Sequence, residues 1–323
     1  MEEMVYQLFV YLNPLTDFGF KKLFFNEENK ELLIQFLNDI IPDAHIVDIH
    51  YRPLAQLGTW KEERIAVFDI FCINDKNEYF IVEMQKAKQT HFIDRALFYA
   101  SCPIRNQAPK GQWNFELKPV YFIAILDFII FNDEIKGNEN ETKENNENET
   151  KDEDYCIEKV SLFRERTKTP FSQKLQFFFI ELPKFNKKVH ELKTNRDYWL
   201  FIFKNLAILN NRPAEIQGKV FDLLFKAAEI KKLTTTEMAE YQKSISDYYE
   251  VQDAVMCAKT EGIIEGEERG IIKGIAKGKI EGKIEGKIEV IQQCLQENVP
   301  IEFIAKITSF SVEQVGNILK NLR

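Results

Sequence analysis

The chain is poor in the residues that usually announce a site. Its five cysteines, Cys72, Cys102, Cys156, Cys257 and Cys294, include no CxxC pair, and its four histidines, His45, His50, His91 and His190, form no ligand spacing. A Cys/His zinc centre is therefore excluded, and the thiols are expected to be free in a reducing cytoplasm. No run of about 18 uncharged apolar residues exists, which argues against a membrane span. The opening MEEMVYQ carries acid rather than base ahead of its short apolar stretch, unlike a secretory leader. An excess of positive charge is also missing: the net charge is −8, so the protein is not coated for nucleic acid. Residues 136–154, however, hold eight acidic residues and three lysines, leaving only −3 on the remainder and room for a local basic groove.

What is present is a core. The 323 residues are 45% hydrophobic and 13% aromatic, with 27 phenylalanines, which is the composition of a globular chain with an appendage. Two apolar runs, VFDIFCIN (67–74) and YFIVEMQKA (79–87), flank an Asn-Asp-Lys-Asn-Glu turn and read as a β-hairpin. With Ile73 opposite Tyr79, counting back sets Asp69 opposite Glu83. Alternation then gives one face Val67, Asp69, Phe71 and Ile73 with Tyr79, Ile81, Glu83 and Gln85. The other face carries Phe68, Ile70, Cys72, Phe80, Val82 and Met84.

Both faces are mostly apolar, as in strands covered on two sides, yet Asp69 and Glu83 stand on one of them. An unpaired buried carboxylate costs several kcal/mol, a large part of a domain's net stability. A divalent cation shared by the two carboxylates offsets that cost; the alternative is a partly open face on which Lys86 or Arg95 pairs with them.

Around the hairpin the chain reads as support. Thr16 or Asp17 is offered as the N-cap of a helix through FGFKKLF, ELLIQFLNDII is a core helix ending before Pro42, and IVDIHYRPL is a strand. QTHFIDRALFYASCPIRN is a helix with Arg95 and Tyr99 four apart on one face, placed to cover the carboxylates. KPVYFIAILDFIIF and KLQFFFIELPKF are wholly apolar strands, and RDYWLFIFKNL and AEIQGKVFDLLFKAAEI are helices. These elements predict one α/β domain over 1–232 with a sheet of four or five strands, interrupted at 137–154 by an acidic, solvated insertion.

From 233 to 290 a long helix is expected, with Gly262, Gly266, Gly270, Gly274, Gly278, Gly282 and Gly286 at every fourth position. Seven glycines cost such a helix roughly 6 kcal/mol relative to alanines. It is either a self-association stalk or a charged, semi-flexible linker. Residues 291–323 form a small module of two short helices, about 301–307 and 312–322, with Ser311 as N-cap; its outline is helix-turn-helix, read as base-reading or as a packing module or dimer cap.

An acidic strand residue, Asp69, followed by Glu83-Met84-Gln85 in the next strand resembles the PD-(D/E)xK nucleases. The ordered set of TDFGFKKLF, FDIFCI, FIVEMQ, the Arg95–Tyr99 helix, FFFIELPKF, DYWLFIFK and the EGKIEGKIEG repeat resembles the Rpn-type recombination-promoting nucleases, or PD-(D/E)XK nuclease family transposases. The resemblance implies a restriction-endonuclease-like core with a mixed sheet flanked by helices, and hydrolysis of DNA phosphodiesters with Mg²⁺ or Mn²⁺. It makes Asp69 and Glu83 metal ligands and catalytic together with Gln85 and Asp17, and it sets Lys21, Arg95 and Tyr99 against substrate. Gln85 stands where the superfamily has lysine. Asp17 with Lys21 also reads as an N-cap and a surface lysine, and Tyr99 with Arg95 as a core tyrosine and an ordinary ion pair. The alternative function is a catalytically weak or inactive DNA-associated assembly protein that oligomerises through 262–323.

Overall fold

A computed structural model describes residues 9–41, 43–53, 55–56, 66–109, 111–131 and 155–321. The expected insertion at 137–154 and the LGTWKEER stretch lie outside them. The chain divides into two compact units, Met1–Asp253 and Ala254–Arg323.

In the first unit the strands are β1 (Ile49–Tyr51), β2 (Ala55–Gln56), β3 (Ala66–Val67), β4 (Ile70–Asn74), β5 (Tyr79–Gln85), β6 (Val120–Leu126), β7 (Ile157–Phe163) and β8 (Pro170–Glu181). Six of them form one sheet in the order β1-β4-β5-β6-β8-β7, and β2 pairs with β3 apart from it. β5, β6 and β8 run parallel, while β1, β4 and β7 are antiparallel to their neighbours, so the sheet is mixed. It exceeds the expected four or five strands because β7 carries no apolar alternation: its residues are exposed or half-buried, and it is held as an edge by backbone pairing to β8.

The helices of this unit are α1 (Asp17–Phe24), α2 (Lys30–Ile40), α3 (Phe92–Asn106), α4 (Asn195–Asn205) and α5 (Lys219–Ala227). Alternation along β6 decides what each sheet face meets. Tyr121, Ile123 and Ile125 join the core built with α1, α2, α4 and α5, and Phe122, Ala124 and Leu126 join the core under α3. The first core is centred on aromatic packing: Phe24 stacks on Phe203 and touches Phe36 and Trp199, with Trp199 fully buried. Burial of each such ring contributes roughly 1.5–3 kcal/mol.

The hairpin follows the expected register, with Ile73 opposite Tyr79 and Ile70 opposite Val82. Its turn is closed by the Asn74 side chain, whose Oδ1 accepts from Lys76 and Glu78 N–H, and Asn77 takes a left-handed φ of 60°. One position departs from the pattern. Phe68 packs on the α3 side with Phe71 and Tyr99 instead of opposite to them, because the strand breaks between Val67 and Ile70. That break resets the alternation and frees the Asp69 backbone.

A long helix, α6 (Thr235–Gln296), begins in the first unit, where Tyr241 and Ile245 pack on Leu12 and Ile230. In the second unit every residue from 254 to 285 is exposed. α7 (Ile301–Thr308) and α8 (Val312–Asn321) fold against the end of α6 through Ile291, Ile304 and Val315, and the Ser311 hydroxyl caps α8 by accepting from Gln314 N–H. Among the described residues no helix is long and apolar enough to cross a membrane.

Candidate active site

Asp69 and Glu83 are laced together by crossed hydrogen bonds. The Asp69 N–H donates to Glu83 Oε1 at 3.1 Å, and the Met84 N–H donates to Asp69 Oδ2 at 2.8 Å. The first of these is available because Asp69 sits in the strand break, where its N–H has left the ladder. Glu83 is 2% exposed. Burial, and then the Asp69 charge, push its pKa up from 4.5 to about 8. Burial also raises Asp69, against the lowering influence of the Met84 N–H and of Lys21. Two carboxylates that hold protons more tightly than usual because they share a desolvated niche leave a site short of positive charge.

The surroundings supply part of it. Gln85 Nε2 lies 3.4 Å from Glu83 Oε2. From α3, Arg95 is stacked between the Phe92 and Tyr99 rings, at 5.2 and 5.6 Å, and its Nη1 donates to Gln89. Its buried Nη2 makes no hydrogen bond and stops 3.9 Å from Glu83 Oε2. The guanidinium is thus held by aromatic faces at ion-pair distance from the carboxylate without closing on it. Tyr99 is edge-on to Phe68, and burial followed by the Glu83 charge raises its pKa. From α1, Asp17 and Lys21 form an i,i+4 ion pair at 2.7 Å, and both charges are felt at Asp69. The N-cap of α1 is Thr16, whose hydroxyl accepts from Gly19 N–H, so Asp17 is free of that duty.

Gly19 fixes this arrangement. A Cβ on it would lie 2.1 Å from the Asn13 carbonyl oxygen, so the first turn of α1 can sit against the preceding loop only as glycine.

Three further groups border the site. Lys86, half-buried at the end of β5, rests over the Tyr248 ring at 5.6 Å; burial lowers its pKa, and Asp17, Asp247 and Asp69 oppose that. Asp127, just past β6, donates its N–H to the Gln85 carbonyl, while its carboxylate accepts from Tyr248 Oη and Gln252 Nε2. A cleft of about 440 Å³ between α1 and the first turns of α6 is lined by Asp17, Lys21, Lys22, Lys243, Ser244 and Asp247. Neither Asp127 nor α6 was singled out in the sequence for this place. A signal existed for Asp127, which ends a wholly apolar strand beside Gln85, at the carboxyl edge of parallel strands where ligands bind.

The donor set suits a hard divalent cation: carboxylate oxygens in a buried niche of surplus negative charge, with an amide beside them. Among the described residues no three His, Cys, Asp or Glu side chains gather as a ready-made metal cage. Any cation held between Asp69 and Glu83 therefore completes its coordination with water, backbone or substrate oxygens.

The family model of the PD-(D/E)XK nuclease family transposases matches residues 14–258, from the loop before α1 into α6. No curated protein and no solved structure matches the chain.

Proposed function

Because the chain belongs to the PD-(D/E)XK nuclease family transposases, we propose that it is a Mg²⁺-dependent DNA endonuclease whose metal is held by Asp69 and Glu83. The observation that carries this reading is the pair of buried carboxylates bound to each other's strands, with Glu83 raised to about 8. A bound divalent ion supplies Lewis acidity at the scissile phosphate and a lowered pKa for a bound water. The protein side follows from the residues. Crossed backbone N–H groups hold one oxygen of each carboxylate, and Glu83 Oε2 has Gln85 and Arg95 beside it. Gln85 orients water by hydrogen bonding where a lysine would add charge. Arg95, kept off Glu83 by its aromatic stack, and Lys21, paired with Asp17, are the cations that this reading sets against phosphate oxygens. Tyr99 fixes Arg95.

A second part of the proposal concerns α6. Its bare, glycine-rich length between 254 and 285 is a surface for self-association, so the nuclease works as a homo-oligomer through residues 262–323. The alternative, a catalytically weak or silent assembly protein on DNA, is favoured by Gln85 in the lysine position. Titration calorimetry with Mn²⁺ separates the two. The nuclease reading expects binding that disappears in Asp69→Asn and in Glu83→Gln; binding that both variants leave unchanged, or none in the wild type, supports the assembly protein.

A further inference from the structure

The exposed part of α6 is patterned as well as bare. Ile272, Ile280 and Ile284 are 67%, 61% and 43% exposed, and a Cβ added to any glycine from Gly262 to Gly286 meets nothing within 4 Å. A helix turns about 100° per residue, so a four-residue repeat advances about 40° beyond a full turn and lays down four rows that wind together. From Lys279 to Glu289 each row has one chemistry. Ile280, Ile284 and Ile288 form a ridge. Lys279, Lys283 and Lys287 lie about 100° to one side of it, Glu281, Glu285 and Glu289 about 100° to the other, and the glycines lie behind.

An isoleucine ridge with a basic edge and an acidic edge discriminates between partner orientations. When two such helices lie parallel, the lysine edge of each meets the glutamate edge of the other on both sides of the seam. When they lie antiparallel, lysine faces lysine and glutamate faces glutamate. The same result holds if the glycine row is the contact, because the same two rows flank it. Lys287 also rests over the Phe310 ring at 4.9 Å, so Lys279 and Lys283 carry most of the basic edge. The ridge row ends at Gln292, and beside it, on the lysine row, Ile291 is covered by Ile304 and Val315.

We propose that the ridge from Ile280 to Ile288 receives a second copy of this chain, parallel and in register, with the lysine row of one copy against the glutamate row of the other. A repeat of four, longer than the 3.6 residues of a turn, keeps the ridge in contact only if the pair winds right-handed. The inference rests on the self-association reading above and sharpens it to one orientation and one face.

The test uses the full chain with Cys257→Ser and Cys294→Ser as background, carrying either Ile280→Cys or Ile288→Cys, both on the ridge row. Each variant is oxidised alone and after co-expression of the two with different tags. Parallel pairing predicts that each variant forms disulfide-linked dimers with itself and that mixed 280–288 dimers stay below about a tenth of the total. Mixed dimers in excess over self-linked ones overturn the orientation but leave self-association standing. A dimeric mass by light scattering with no cross-link at either position overturns the choice of face. A monomeric mass overturns self-association itself, and none of these outcomes bears on the metal titration of the nuclease site.

Discussion

Replacing Glu83 with glutamine should stabilise the protein at alkaline pH while removing its chemistry. Glu83 is nearly buried, and its pKa rises from 4.5 to about 8 because of burial first and Asp69 second. A carboxyl raised in the folded state holds its proton there after the unfolded chain has released it. Stability therefore falls as pH increases between about 4.5 and about 8. From pH 6 to pH 8 that loss amounts to about 2 kcal/mol, because the slope of roughly 1.4 kcal/mol for each unit of pH falls to half as pH reaches the folded-state pKa. In a unit of this size it is worth about 4–8 °C in Tm. Glutamine keeps an oxygen for the Asp69 N–H and does not titrate. Melting followed by circular dichroism without divalent metal should give a Tm gap between Glu83→Gln and wild type that widens by that amount from pH 6 to pH 8. Saturating Mg²⁺, which favours the ionised wild-type pair, should narrow the gap. Parallel Tm-versus-pH curves for the two proteins would refute the claim that Glu83 is held in a charge-deficient niche.

Gly19→Ala should cost about 2–3 kcal/mol in urea unfolding, since the new methyl meets the Asn13 carbonyl at 2.1 Å and the turn must shift to admit it. Lys184→Met should cost about 3–5 kcal/mol by the same measurement. It leaves the fully buried Glu181 carboxylate, which holds the Ile130 and Phe131 N–H groups, without its cation. Arg95→Met should move the acid limb of metal binding to higher pH, because the guanidinium is among the groups that lower Glu83; a calorimetric pH series checks the direction. Gln85→Lys should move that limb to lower pH by placing an ammonium beside Glu83 Oε2.

The hairpin was legible in the sequence down to its register, since a polar turn between two apolar runs sets Ile73 opposite Tyr79 and counting back from that pair gives the observed partners. So was the helix over the carboxylates, with Arg95 and Tyr99 on the face turned to them. Phe68 was misplaced because a break in a strand reverses alternation and leaves no mark in composition. β7 went unread because an exposed edge strand needs only backbone bonds to its neighbour. The roles of Lys86, Asp127 and Tyr248 at the border of the site come from a contact between segments more than a hundred residues apart, α6 against the ends of β5 and β6, and no local pattern encodes it.

The measurement closest to the central claim is nicking of supercoiled plasmid by the purified full-length chain, with Mg²⁺ and with EDTA, for wild type and Asp69→Ala. The wild type should cleave in Mg²⁺ and not in EDTA, and the variant should lose at least about 100-fold. Equal nicking by the two proteins, or nicking that persists in EDTA, would contradict that claim.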